Sequence, residues 1–252
     1  MTDSTQRFRD LHREGCFVMP NPYDVGSTRI LSALGFPALA TTSGGLAASL
    51  GRADMTLDLD TVMAHVRSVV SATPLPVNVD SERCFADSPA GVSETVRLLA
   101  ETGAAGCSIE DWNPSTGQID PLENSVERVR AASAAASESG IVLTARCEGI
   151  LRKVADIDVV IERLLAFREA GAEVLYAPGL TDLVDIRRAV EEVDAPLNVL
   201  LMPGGPGIAE LATVGVRRIS TGSRLSSVAY GALVAAATSL LQEGQITQIS
   251  RR

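Results

Sequence analysis

Lysine is nearly missing from this chain: Lys153 is the only lysine among 22 basic residues, and the rest are arginine. Any Schiff-base step or lysine-held phosphate would have to use Lys153. Histidine is as scarce, with only His12 and His65. Both fall in helical segments, where a surface or helix-flank role is expected, so a Ser-His-Asp triad is not expected. Aromatics are 4% of the chain, which leaves the core to Val, Leu, Ile and Ala. The four cysteines (Cys16, Cys84, Cys107 and Cys147) show no metal-ligand spacing and read as reduced thiols of a cytoplasmic protein. No apolar run approaches the roughly 20 residues needed to cross a bilayer. The polar N-terminus, MTDSTQRFRDLHREG, lacks a signal-peptide apolar region. Acidic residues outnumber basic ones, for a net charge of −9, so neither nucleic acid nor an anionic membrane is an expected partner. No Walker A or dinucleotide fingerprint is present, which disfavours ATP and NAD.

What the chain does have is alternation. Short apolar runs occur at 16–20, 38–42, 76–80, 106–110, 141–146, 173–177, 197–201 and 218–221. Between them, apolar residues recur three and four apart, as in Val62, Val66 and Val69, or Ile157, Val160, Ile161 and Leu164. Eight strand–helix units in 252 residues predict an α/β fold, a single (β/α)8 TIM-type barrel over 1–252, with a doubly wound open sheet as the alternative. Four phrases, LGFPAL, TGAAGCSI, AGAEVLY and VGVRRIS, each place a glycine after a helix, where a left-handed cap is needed, and then start a strand. Residues 4–13 are expected to close the barrel bottom, and the last helix to span about 226–242.

Active sites of such barrels lie at the C-terminal strand ends, and polar residues gather there. Asp80 and Glu110 end neighbouring strands, so their carboxylates converge and repel unless a proton or cation lies between them. An all-oxygen set suits Mg²⁺ or Mn²⁺. The alternative is that each carboxylate caps a helix or pairs with an arginine. Arg146 would form either a bidentate contact to a substrate carboxylate or phosphate, or a buried ion pair with Glu110 or Glu148. Ser43, Gly44 and Gly45 read as an anion cradle or as a plain tight turn. Cys84 falls near the expected site mouth without a histidine to activate it. Trp112 would line the entrance or cover a helix.

Several landmarks occur in order: Asn21-Pro22-Tyr23-Asp24, Thr42-Ser43-Gly44-Gly45 with Ala53-Asp54, Asn78-Val79-Asp80, Ser108-Ile109-Glu110-Asp111 and Ala145-Arg146-Cys147-Glu148. With them the chain resembles the isocitrate lyase/phosphoenolpyruvate mutase superfamily from Pro20 to about Leu241. The resemblance implies a homodimer or homotetramer, with a C-terminal helix exchanged between subunits, and a small carboxylate substrate. It implies Mg²⁺ near Asp80 and Glu110, with Asn78 standing where the family's strand-three DxD signature has its first aspartate. Asp54 would be an outer-shell partner, Ser43, Gly44, Gly45, Asp80, Arg146 and Asn198 would bind substrate, and Arg146, Glu148 and Asp54 would serve catalysis. The implied activity is C–C cleavage of a 2-oxo or 2-hydroxy carboxylate through a metal-stabilised enolate, by retro-aldol cleavage or decarboxylation. A P–C or heteroatom-bond mutase or hydrolase is one alternative, and a catalytically lapsed carboxylate-binding protein another. The lyases' Lys-Lys-Cys-Gly-His loop is absent, since residues 112–119 read WNPSTGQI.

Overall fold

The computed structural model describes residues 3–246. The described residues form ten strands and ten helices. The strands are β1 (Phe17–Met19), β2 (Leu39–Ala40), β3 (Val77–Asp80), β4 (Gly106–Glu110), β5 (Trp112–Asn113), β6 (Gln118–Ile119), β7 (Val142–Arg146), β8 (Val174–Tyr176), β9 (Leu197–Leu200) and β10 (Arg218–Ser220). The helices are α1 (Asp3–Asp10), α2 (Val25–Ala33), α3 (Ser43–Ser49), α4 (Leu59–Ser71), α5 (Pro89–Glu101), α6 (Leu122–Ser139), α7 (Ile157–Glu169), α8 (Leu183–Val193), α9 (Ile208–Thr213) and α10 (Arg224–Glu243).

Eight strands form one parallel sheet in the order β1-β10-β9-β8-β7-β4-β3-β2, while β5 and β6 make a separate antiparallel hairpin. The sheet curls into a TIM-type barrel, as the alternation predicts. Its seam is closed by Ala40 N–H donating to Pro20 O at 3.1 Å. Asn21 reinforces that seam. Its Oδ1 accepts from the backbone N–H of Thr221 and of Gly222, both at 2.9 Å, and its Nδ2 donates to Thr41 O at 2.8 Å. The polar strand end read from sequence is, at this position, a structural stitch.

The four glycines of the repeated phrase, Gly35, Gly103, Gly171 and Gly215, all have φ between +87° and +102°. Each ends a helix in the left-handed conformation that a side chain disfavours. Outward-facing strand residues such as Val79, Ile109, Leu143, Leu175 and Ile219 join Val66, Val96, Leu164 and Ile186 of the helices in the main core. Phe8 of α1 packs with Phe17, Met19, Ala105, Val142 and Val174 to plug the barrel bottom.

The barrel interior differs from the branched aliphatic layers usual in such folds: Asn78, Ser108, Asn198, Arg218 and Ser220 line the cavity. One feature departs from the sequence reading: α10 has 20 residues at a mean hydropathy of 1.4, long and apolar enough by length and composition to cross a membrane. Its serines, threonine and glycine interrupt the apolar run that the sequence was searched for. Val228, Leu233, Val234, Leu240 and Leu241 on this helix are all exposed.

Candidate active site

A cavity of about 420 Å³ opens at the C-terminal end of the barrel, and Arg146 stands at its centre. Arg146 ends β7 and reaches across the neighbouring strands. Its Nη1 lies 3.4 Å from Asp80 Oδ1 and 3.2 Å from Glu110 Oε2, and its Nε donates to Glu148 Oε1. Burial opposes its charge, but Glu148, Glu110 and Asp80 together hold its pKa well above the ordinary arginine value. The guanidinium also lies over the Tyr176 ring, 5.3 Å from its centroid. Glu148 is fully buried, and its second oxygen accepts from Arg152 Nε at 3.1 Å. Arg152 in turn stacks on Trp112 at 4.6 Å, so Trp112 belongs to the site wall.

Asp80 is held from the opposite side. Its Oδ2 accepts from Ser43 N–H at 2.9 Å, and its own N–H donates to Thr41 Oγ1 at 2.9 Å. The Ser43–Gly45 turn is the first turn of α3, capped by Thr42, and one of its backbone donors is already spent on Asp80. A Cβ on Gly44 would meet Ser223 Oγ at 2.7 Å and Asp54 Cγ at 3.2 Å, and one on Gly45 would meet Thr42 Cγ2 at 2.5 Å. The two glycines therefore permit close packing between α3, Asp54 and the start of α10. Asp54 is exposed at the rim and lines the cavity.

Asn78 and Asn198 lie deeper. Asn78 pairs across the sheet with Ala40 and Gly106, two residues down the strand from Asp80 or roughly 6.6 Å. It is below the ring of carboxylates rather than beside Asp80. Asn198 has both amide ends engaged, its Oδ1 by Arg218 Nε at 2.9 Å and its Nδ2 by Ser220 Oγ at 3.0 Å.

The carboxylate that sequence reasoning missed is Glu82. It lies two residues beyond Asp80, so Asp80-Ser81-Glu82, rather than Asn78-Val79-Asp80, presents paired acids at the strand end. Glu82 is buried with Oε1 unpartnered, and burial, with Asp80 and Asp54 adding to it, pushes its pKa up to about 8. It sits in a turn where Glu82, Cys84 and Phe85 all have positive φ, at about 1–3 kcal/mol of strain each. The signal was present as an Asp-x-Glu spacing, but the register that ended the strand at Asp80 hid it.

Glu110 Oε1 is likewise buried without a partner, and burial raises its pKa well above the usual carboxylate range. Among the described residues no three His, Cys, Asp or Glu side chains form a ready metal cage. The orphaned oxygens of Glu82 and Glu110 next to Asp80 instead fit a cation such as Mg²⁺, held by one or two carboxylates, waters and substrate.

Other expectations are corrected. His12 is buried, its Nδ1–H donating to Phe8 O at 2.8 Å, and its ring meets Phe8 and Phe17 edge-on. It lies on the barrel floor, not on a helix surface. Cys84 is fully buried, and its thiol is pushed up to about 11 by burial, which rules out a nucleophile at the mouth. Asp111 is buried and structural, accepting from Glu148 N–H and from Arg163 Nε, both at 2.8 Å. The segment after β4 is the β5–β6 hairpin, with Asn113 Nδ2 donating to Asp120 Oδ1 at 2.9 Å.

The chain is similar to several known proteins. A solved structure from Burkholderia cenocepacia J2315, described as that of a candidate lyase/mutase, superposes with a TM-score of 0.93 at 44% identity, covering 96% of this chain and 90% of that one. Oxaloacetate decarboxylase of Paraburkholderia xenovorans (strain LB400) is 31% identical over 247 residues, 92% of this chain and 80% of that protein. 2-Methylisocitrate lyase of Escherichia coli (strain K12) is 34% identical over 172 residues, 65% of this chain and 57% of that protein. The family model for phosphoenolpyruvate phosphomutase matches residues 8–241. With its parallel barrel and the carboxylates ringed at the strand ends, this chain belongs to that family, within the isocitrate lyase/phosphoenolpyruvate mutase superfamily.

Proposed function

We propose that this protein is a Mg²⁺-dependent lyase that cleaves a C–C bond of a small 2-oxo or 2-hydroxy carboxylate. The observation that carries the reading is the cluster of Asp80, Glu110 and Glu148 on Arg146, with Glu82 within electrostatic reach of Asp80 and with Glu82 Oε1 and Glu110 Oε1 buried and unpartnered. Those unpartnered oxygens are available to a cation. Mg²⁺ would supply the positive charge that stabilises the enolate developing when the bond breaks.

The chain's own residues do the rest. Asp80, with Glu82 and Glu110, would hold the metal and its waters. Asn78 lies too deep to share that task. Arg146 would present its fork to the substrate carboxylate. Glu148, fixed by Arg152 and by the backbone N–H bond to Asp111, keeps that fork in place. Tyr176 lies against the Arg146 guanidinium and Trp112 against that of Arg152.

The carboxylate-binding alternative draws on one observation: the tip of the β5–β6 hairpin presents Ser115, Thr116 and Gln118, none of which exchanges a proton near pH 7. The superfamily also supports a P–C or other heteroatom-bond mutase or hydrolase. Assembly as a dimer or tetramer through the apolar face of α10, and a cytoplasmic location in keeping with four free cysteines, belong to the same proposal.

The test is calorimetric titration of Mg²⁺ with and without oxalate, followed by NMR detection of products from oxaloacetate, 2-methylisocitrate, 2,3-dimethylmalate and phosphonopyruvate. Mg²⁺-dependent C–C cleavage of one of these acids supports the lyase. Release of phosphate or rearrangement of phosphonopyruvate favours the mutase or hydrolase. Binding without turnover favours the binding protein, and no Mg²⁺ uptake with oxalate overturns the metal-dependent reading.

A further inference from the structure

The barrel floor contains a cation that the mouth chemistry does not use. Arg218 of β10 is 1% exposed, the bulkiest fully buried side chain in the structure. Its hydrogen bonds all go to neutral acceptors: Nε to Asn198 Oδ1 at 2.9 Å, Nη2 to Thr144 Oγ1 at 2.9 Å, and Nη1 to His12 Nε2 at 3.2 Å. The bond from His12 Nδ1–H to Phe8 O leaves Nε2 as a neutral lone pair, so His12 accepts and adds no charge. The Phe8 ring lies 6.0 Å from the guanidinium carbon. The other large buried arginines at this level of burial are paired differently: Arg163 has Asp111 at 2.8 Å, and Arg128 caps three backbone carbonyls. Among the described residues Arg218 has neither a carboxylate nor a backbone carbonyl as partner.

A guanidinium carries five N–H donors, and these three bonds use three of them. Arg218 also lines the cavity described above, as do Ser108, Asn198 and Ser220. A second observation points the same way. Asn78, which faces the same space, is 4% exposed with Oδ1 unpartnered, and its Nδ2 reaches only Val79 O at 3.5 Å. Exchanging the two ends of this amide leaves its shape unchanged and turns an NH₂ toward the cavity. A buried charge without a counter-charge is costly, and an anion that enters along a polar shaft removes that cost.

We propose that the floor of the barrel cavity is an anion site, in which Arg218, assisted by Asn78 and the neighbouring hydroxyls, holds one small monovalent anion. This site lies beneath the carboxylate ring and is separate from the substrate group that Arg146 would hold. A halide and a small planar anion such as formate or nitrate share the required chemistry, one charge in a compact shell of N–H donors. The proposal stands whether or not the protein is a lyase.

The experiment is thermal unfolding of the full chain in a buffer whose only anion is the bulky sulfonate MES, titrated with sodium bromide, sodium formate or further sodium MES at matched ionic strength. Bromide, formate or both should raise the Tm saturably at millimolar concentration, while MES should not. A rise with bromide alone assigns a halide site, and a rise with both assigns a general small-anion site. In Arg218→Met the saturable component should vanish. Identical curves for all three salts in the wild-type protein, or a saturable rise retained in Arg218→Met, overturn the proposal. Should Arg218→Met not fold, crystals of the wild-type protein grown in bromide decide. An anomalous peak within hydrogen-bonding reach of Arg218 Nη1 or Nη2 is expected, and its absence there overturns the assignment.

Discussion

Glu148 holds Arg146 in place: Arg146 Nε donates to Glu148 Oε1, while Glu148 Oε2 is taken by Arg152 Nε at 3.1 Å. A fully buried carboxylate is thus clamped between two guanidiniums, and its backbone N–H is bonded to buried Asp111 at 2.8 Å. Glu148→Gln keeps the shape and removes the charge. Losing a charge-assisted hydrogen bond at a buried site costs roughly 1.5–3 kcal/mol. Chemical denaturation should show that loss, and an unchanged midpoint would mean the clamp is not structural.

Arg146→Lys should weaken the binding of oxalate with Mg²⁺ about tenfold or more, because an ammonium cannot reproduce two parallel bonds worth roughly 1.5–3 kcal/mol. Calorimetry on the folded variant reads this directly. Equal affinity would remove Arg146 from the substrate contacts.

Asp80→Asn and Glu82→Gln should each reduce Mg²⁺ uptake in the presence of oxalate, the first more severely because Asp80 lies against both Arg146 and Ser43 N–H. Asn78→Asp separates the two ways of aligning the acidic pair. If Asn78 stood in for a metal ligand, a new charge there would tighten Mg²⁺ binding. Its depth beside Gly106 instead predicts a loss of stability from a new buried carboxylate, with no gain in Mg²⁺ affinity.

Acid should destabilise the barrel through His12. Burial, with Arg218 adding to it, lowers its pKa from 6.5 to about 3 in the folded chain. Between those values the unfolded state binds the extra proton, so stability is present above pH 6.5 and falls as the pH drops toward 3. One and a half pH units into that window amount to about 2 kcal/mol. The pH dependence of Tm between neutral and mildly acidic buffer should therefore be flatter in His12→Gln, whatever the variant's absolute stability. Parallel slopes would contradict this role.

The apolar face of α10 predicts self-association. Val228, Leu233, Val234, Leu240 and Leu241 are all at least half exposed, apolar surface of the kind that marks an interface. Light scattering should give a dimer or larger at micromolar concentration, and Leu233→Glu with Leu241→Glu should shift it toward monomer. A wild-type monomer would contradict the assembly.

The barrel was legible from sequence because it rests on local physics. Strand β4 begins and ends where the apolar run 106–110 does, and the repeated glycines fall at left-handed helix ends as their spacing requires. Arg146, Asp80 and Glu110 were legible for a related reason: each ends an apolar strand, where a barrel gathers its polar groups. What the tertiary structure alone decided is which partner each charge meets. Both readings of Arg146 were open in sequence, and only the convergence of β3, β4 and β7 brings three carboxylates to one guanidinium. Glu82 was hidden because a turn of positive φ, not a periodicity, places it beyond the strand end. His12 and Arg218 are 206 positions apart. Their meeting on the barrel floor depends on β1 closing against β10, and no local pattern records a contact made by closure.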